Sequence, residues 1–120
     1  MNQDAKALKF YLQRSTQGFW SEEVYMALLN AARLKEKLKY KDEEIIQSYM
    51  QAHEVVPHRI EALHGAAKFC RLSSKYHQAY ILSKWGQSLP VQKDGLFVEA
   101  WIWDYGIEDE VSVSAYWSGH

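Results

Sequence analysis

Five histidines and one cysteine are the residues of this chain best suited to metal or nucleophile chemistry. His53, His58, His64, His77 and His120 contain no pair four residues apart, the spacing that puts two ligands on one helical face. His53 and His58 flank Pro57, which breaks any helix they could share. These histidines therefore read as solvated or groove residues, and no metal site is expected. Cys70 near His64 or His77 could form a thiol–imidazole pair. Its place on an apolar helical stripe instead makes it a buried, inert thiol. Glu108, Asp109 and Glu110 read as the acids of a helix start, where the macrodipole favours negative charge. There is no glycine-rich phosphate loop. No catalytic residue, cofactor site or metal site is assigned.

Two further groups invite a binding reading. Arg33, Lys35, Lys37, Lys39 and Lys41 alternate with other residues, so on a helix they scatter around the axis. They suit a solvated helix C-terminus better than a phosphate or acidic-partner site. The aromatics Trp101, Trp103, Tyr105, Tyr116 and Trp117 could make a sugar-stacking platform, but they read first as core packing.

The elements that must position these residues follow from periodicity. Between His58 and Pro90, Ile60, Leu63, Ala67 and Cys70 recur at helical spacing. Ser73 and Ser74 interrupt, and Tyr76, Ala79, Tyr80 and Leu82 begin a second stripe. The preceding stretch repeats this plan. Leu29, Ala32, Ile45, Tyr49, Ala52 and Pro57 are answered by Leu63, Ala66, Ala79, Ser83, Gly86 and, one residue early, Pro90. The offset is 34 residues from Leu29 to Leu63 and again from Ile45 to Ala79, the period of a tetratricopeptide helix–turn–helix repeat.

Upstream, residues 4–14 place Ala7, Leu8, Tyr11 and Leu12 on one face, with Asp4 as the expected cap. This segment reads as the second helix of a repeat that lacks its first. Ser21 is expected to cap the next helix, which carries Glu22 and Glu23 in its first turn. Asp42 opens its partner, and Pro57 ends it. Beyond Pro90, Val91–Gly95 reads as a loop. The stretches around Trp101 and from Val111 to Trp117 alternate, which fits a hairpin about Gly106. The repeat register favours a further first helix, with Val111 and Ala115 at packing positions and Gly119 at its end. The expected fold is all-α: one domain over residues 1–120 of antiparallel helix–turn–helix repeats, about six helices, with incomplete repeats at both ends.

Composition bounds the function. A formal charge of −1 argues against a general nucleic-acid binder. A single cysteine cannot form an internal disulfide. No run approaches the roughly 20 apolar residues of a membrane span, and the N-terminus lacks the apolar core of a secretory signal. The default localisation is cytoplasmic.

Three stretches are more specific than a generic repeat. GFWSEEVYMALLNAARLKEKL, YHQAYILSKWGQSLP and LFVEAWIWDYGIEDEVSVSAYWSG together resemble the helical repeat region that follows the catalytic domain in a set of family 2 glycosyltransferases. The resemblance runs from about Ala5 to Gly119. Its most distinctive block is Leu96–Gly119, where LFVE, DYG, DE and SVSAYW stand in the family's order. Arg33, Glu36 and Cys70 depart from the repeat consensus of Gly, Tyr and Tyr. The family's catalytic half, with its metal-binding Asp-x-Asp, has no counterpart, and no Asp-x-Asp occurs in this sequence. The resemblance implies a non-catalytic module, a fragment or short relative of a larger glycosyltransferase, that mediates domain or protein–protein contact. Its partner would be the missing catalytic domain or another protein.

The alternative is a stand-alone adaptor that binds an acidic peptide in its groove. In the repeat register the groove-facing residues are Asn30, Leu34 and Lys37, then Glu61, His64, Lys68 and Arg71, which form a polar stripe opposite the core stripe. Tyr11, Leu12, Val113 and Trp117 do not resemble the polar caps that repeat arrays carry. Self-association through the terminal helices is therefore also expected.

Overall fold

The computed structural model describes residues 3–17, 20–90, 99, 102 and 106–119. Among these there are six α-helices: α1 (Gln3–Gln17), α2 (Ser21–Lys37), α3 (Asp42–Val55), α4 (Glu61–Leu72), α5 (Tyr76–Ser88) and α6 (Ile107–Ser118). No strand occurs among the described residues. The segment from Val111 to Trp117 is helical, so the alternation there does not mark a hairpin. Most of residues 96–105, the other half of that hairpin, lies outside the described residues. The chain divides into two compact units, residues 1–57 and 58–120.

In the first unit α2 packs against both α1 and α3. Its sequence explains this central place. Tyr25, Leu28, Leu29 and Ala32 form one buried stripe, and Ala27 and Ala31 bury an adjacent one. Two apolar faces need two neighbours. The alanines keep the helix narrow enough for both. On α3 a single stripe is buried, Ile45, Ser48, Tyr49, Ala52 and His53, at the spacing of one helical face. His53 is thus a core residue rather than a solvated one.

Polar contacts set the register of these helices. Asp4 of α1 pairs with Lys37 of α2 at 3.2 Å, and Arg14 pairs with Glu23 at the opposite ends. The two ion pairs clamp an antiparallel helix pair at both ends. Both are exposed, and such pairs each contribute about 0–1 kcal/mol, so they select register more than they add stability. Asp4 is therefore a first-turn residue with a partner on α2, not a cap. Ser21 is likewise the first residue of α2 after Trp20, and no side-chain hydrogen bond caps that end. Between α2 and α3, Lys35 Nζ donates to Ser48 Oγ and Tyr49 Oη donates to Glu36 Oε2, both at 2.8 Å. Glu36, a departure from the repeat consensus, is thus used to hold the next helix.

In the second unit α5 packs against α4 and α6, and α4 also meets α6. Ala79, Ser83 and Gly86 make a stripe of small buried residues along α5. Small size at these positions is what allows close approach. A Cβ added at Gly86 would lie 3.0 Å from Ile107 Cδ1 and 3.4 Å from Ile60 Cγ1. On α6 the buried stripe is Ile107, Glu110 and Ser114. Val111 and Ala115, the expected packing positions, are only half-buried. Ile60, Ile102 and Ile107 form a buried apolar cluster.

The ten non-proline positions matched by the 34-residue offset are all buried. The turns repeat as well. After α2, Lys39 N–H donates to Glu36 O and Tyr40 N–H to Lys35 O; after α4, Ser74 N–H donates to Arg71 O and Lys75 N–H to Cys70 O. Both are Schellman closures, which need a left-handed residue just past the helix. Lys39 and Ser74 fill that position, each at φ 61°, where a side chain costs roughly 1–2 kcal/mol. Glycine avoids that cost but loses more entropy on folding. Ser74→Gly is therefore expected to stabilise by about 0.5–1 kcal/mol, and Ser74→Val to destabilise. Thermal unfolding of the two variants checks the sign of each change.

Candidate functional site

The residues chosen by register fall into three environments. Asn30, Leu34 and Lys37 border an open depression of about 320 Å³ in the first unit, together with Ala7 and Tyr11 of α1 and Arg33. Lys37 is already engaged with Asp4. His64, Lys68 and Arg71 border a depression of about 300 Å³ in the second unit, closed on its other side by Gly106, Asp109, Glu110 and Val113. Glu61 belongs to neither.

Glu61 is 1% exposed and forms an ion pair with Arg59, itself 3% exposed. Arg59 Nη2 donates to Glu61 Oε2 at 2.7 Å and Nε donates to Oε1 at 3.2 Å. The backbone N–H of Glu99 donates to Oε2 at 3.1 Å. The expected groove position is therefore an internal anchor. Register placed Glu61 opposite the core stripe, but α4 is buried around most of its circumference, with Ala62, Leu63, His64, Ala66, Ala67, Phe69 and Cys70 all enclosed. Burial acts to raise the Glu61 pKa. The Arg59 hydrogen bonds, backbone N–H groups including that of Glu99, and the Arg59 charge outweigh it and hold the carboxyl below its ordinary 4.5. A depressed carboxyl contributes stability that is complete above the unfolded value and lost as pH falls through the folded one. Acid titration of the chain should show a loss of helicity below about pH 4.5, and Glu61→Gln should flatten that dependence while lowering stability at neutral pH.

Arg71 points its guanidinium at α6. Nε donates to Glu110 Oε2 at 2.8 Å and Nη2 donates to Oε1 at 3.1 Å, a two-pronged contact. Glu110 is 5% exposed, and the Arg71 side chain is about a quarter exposed. The hydrogen bonds that Arg71 donates to Glu110 raise the Arg71 pKa. Glu110 lies in the first turn of α6 with Glu108 and Asp109. Sequence reasoning read all three as helix-start acids, and the partner of Glu110, 39 residues away, left no local signal. Replacing Arg71 by Met would strand a buried carboxylate and should cost about 1–3 kcal/mol. Adding Glu110→Leu should restore much of that loss. Chemical denaturation of both single variants and the double variant measures the coupling.

With Arg71 neutralised, the second-unit depression holds Lys68 and Asp109 as its exposed charges, beside His64 and the Val113 side chain. It is balanced in sign, not basic. Cys70 is a fully buried thiol outside any disulfide. Among the described residues no group of three or more His, Cys, Asp or Glu could hold a metal ion. No helix among them is long and apolar enough to cross a membrane.

The aromatic group divides differently from expectation. Trp101, Trp103 and Tyr105 lie outside the described residues. Tyr116 and Trp117 are 78% and 61% exposed, so neither is core. Trp117 stacks on Tyr76 of α5, with ring centroids 5.6 Å apart and planes inclined at 24°. Of the other residues expected to be exposed, Leu12 and Val113 are, whereas Tyr11 is half-buried.

No protein-family model matches the chain, and no curated protein or solved structure shows significant similarity to it.

Proposed function

We propose that this chain is a non-catalytic helical repeat module of the tetratricopeptide type that works through protein–protein contact. In this reading it serves a family 2 glycosyltransferase, as its sequence resemblance implies. The observation that carries the contact function is the depression between α4 and α6. Three residues picked out by register, His64, Lys68 and Arg71, border it together with Asp109, Glu110 and Val113. A pocket with one exposed cation, one exposed anion and an apolar side chain suits a protein surface of mixed character. The repeated burial pattern and the twice-used turn geometry support the repeat assignment.

The acidic-peptide adaptor draws less support. Glu110 already satisfies Arg71, and Asp109 stands on the same rim, so Lys68 is left as the cation available to an acidic ligand.

Calorimetric titration against the family 2 glycosyltransferase catalytic domain encoded nearest to this chain tests the proposal. Binding is expected, and Lys68→Glu or Lys68→Trp should weaken it roughly tenfold or more, the scale of a residue that matters at an interface. A folded chain that shows no heat of binding, or that turns over nucleotide sugars alone, would defeat this reading.

A further inference from the structure

Two exposed faces of this chain carry unsatisfied charge of opposite sign beside apolar surface. On α1, Lys6 and Lys9 are exposed and make no ion pair among the described residues. Lys9 lines a depression of about 550 Å³ together with Leu8, Leu12 and Tyr40. Phe10 of the same helix is 55% exposed. On α6, Glu108 and Asp109 are exposed and likewise make no ion pair among the described residues. Further along that helix Val113, Tyr116 and Trp117 are exposed. Each face thus combines two like charges with an apolar patch, and the signs are opposite.

We propose that these faces bind each other between copies of the chain, the acidic aromatic face of α6 in one copy seating on the basic trough of α1 in the next. Charge complementarity selects the occupant. Two copies of the α1 face would oppose Lys6 and Lys9 to themselves, and two copies of the α6 face would oppose Glu108 and Asp109. Only the mixed pairing brings unlike charges together while covering both apolar patches. The depression holds the side of α1 that carries Leu8 and Leu12, and Tyr116 and Trp117 are aromatics large enough to fill it. Every copy carries one face of each kind, so two copies can pair reciprocally or pass the contact on to further copies. It shares Asp109 and Val113 with the surface of the proposed glycosyltransferase contact.

Light scattering after size exclusion, from micromolar to near-millimolar concentration, tests the pairing. The weight-average mass should rise above that of the monomer and fall with added salt, because exposed charges are screened over about 8 Å at physiological ionic strength. Lys6→Glu with Lys9→Glu should weaken association roughly tenfold, as should Glu108→Lys with Asp109→Lys, since each now faces like charge. An equimolar mixture of the two double variants should associate again, because the acidic α1 of one then meets the basic α6 of the other. Circular dichroism establishes that each variant is folded. Lys68→Glu should leave self-association unchanged, which separates this contact from the proposed glycosyltransferase one. A wild-type chain that stays monomeric throughout the series, association that ignores the charge reversals, or a mixture that fails to recover would each overturn the pairing.

Discussion

The second unit depends on a buried ion pair. Arg59 and Glu61 are both enclosed, and taking two charges out of water costs several kcal/mol per ion before their attraction is counted. Such a pair persists only where its remaining hydrogen-bonding capacity is met. Here the guanidinium meets both carboxylate oxygens, and the Glu99 N–H supplies a further donor. Glu61 is also the first residue of α4, where the helix dipole favours an anion. Ile60 lies between the two charges and reaches the core with Ile102 and Ile107. Glu99 in turn accepts the Ile102 N–H at 3.0 Å. One side chain, Glu61, therefore links the start of α4 to the connection that delivers Ile102 to the same core. Removing Glu61 would take away both the carboxylate that meets Arg59 and the acceptor of the Glu99 N–H.

The depression between α4 and α6 inherits this constraint. Its two walls are far apart in sequence, and their approach is set by packing at Gly86 and Ile107 and by the Arg71–Glu110 contact. Arg71 thus closes the site more than it recognises a ligand. In the proposed contact, recognition would fall to Lys68, Asp109 and Val113, whose side chains are exposed. A near-neutral surface of this kind discriminates by shape and by the placement of single charges, and long-range steering contributes little.

Much of the architecture is legible in the sequence because its strongest signal is repetition. A stripe that recurs after 34 residues fixes helix spans, turns and buried positions together, as Leu29 and Leu63 or Ile45 and Ala79 illustrate. What repetition does not convey is how many neighbours each face receives. Glu61 falls opposite the core stripe by register, yet α4 is enclosed there too. Tyr116 and Trp117 are apolar by type, yet the buried stripe of α6 is Ile107, Glu110 and Ser114. A charged residue thus occupies the inside and aromatics the outside, the reverse of what hydropathy alone suggests. Glu110 can go inside only because Arg71 meets it, and that pairing joins residues 39 apart with no periodic relation. Non-local polar pairs are the part of the fold that a pattern of apolar residues cannot encode.

The two units reach the same local geometry by different means. Each contains a helix pair closed by a Schellman turn with a left-handed Lys39 or Ser74, and each buries the same register positions. Their polar fastenings differ. In the first unit the ion pairs Asp4–Lys37 and Arg14–Glu23 lie on the surface, where water and salt weaken them. In the second unit Arg59–Glu61 is sealed and Arg71–Glu110 is partly so, which shields them from screening, and the depressed Glu61 carboxyl leaves its pair sensitive to acid. Salt therefore acts mainly on how α1 is held to α2, whereas protonation of Glu61 acts on how α4 is held to the Glu99 segment. The partition follows from burial alone, since all four pairs join a carboxylate to a lysine or arginine.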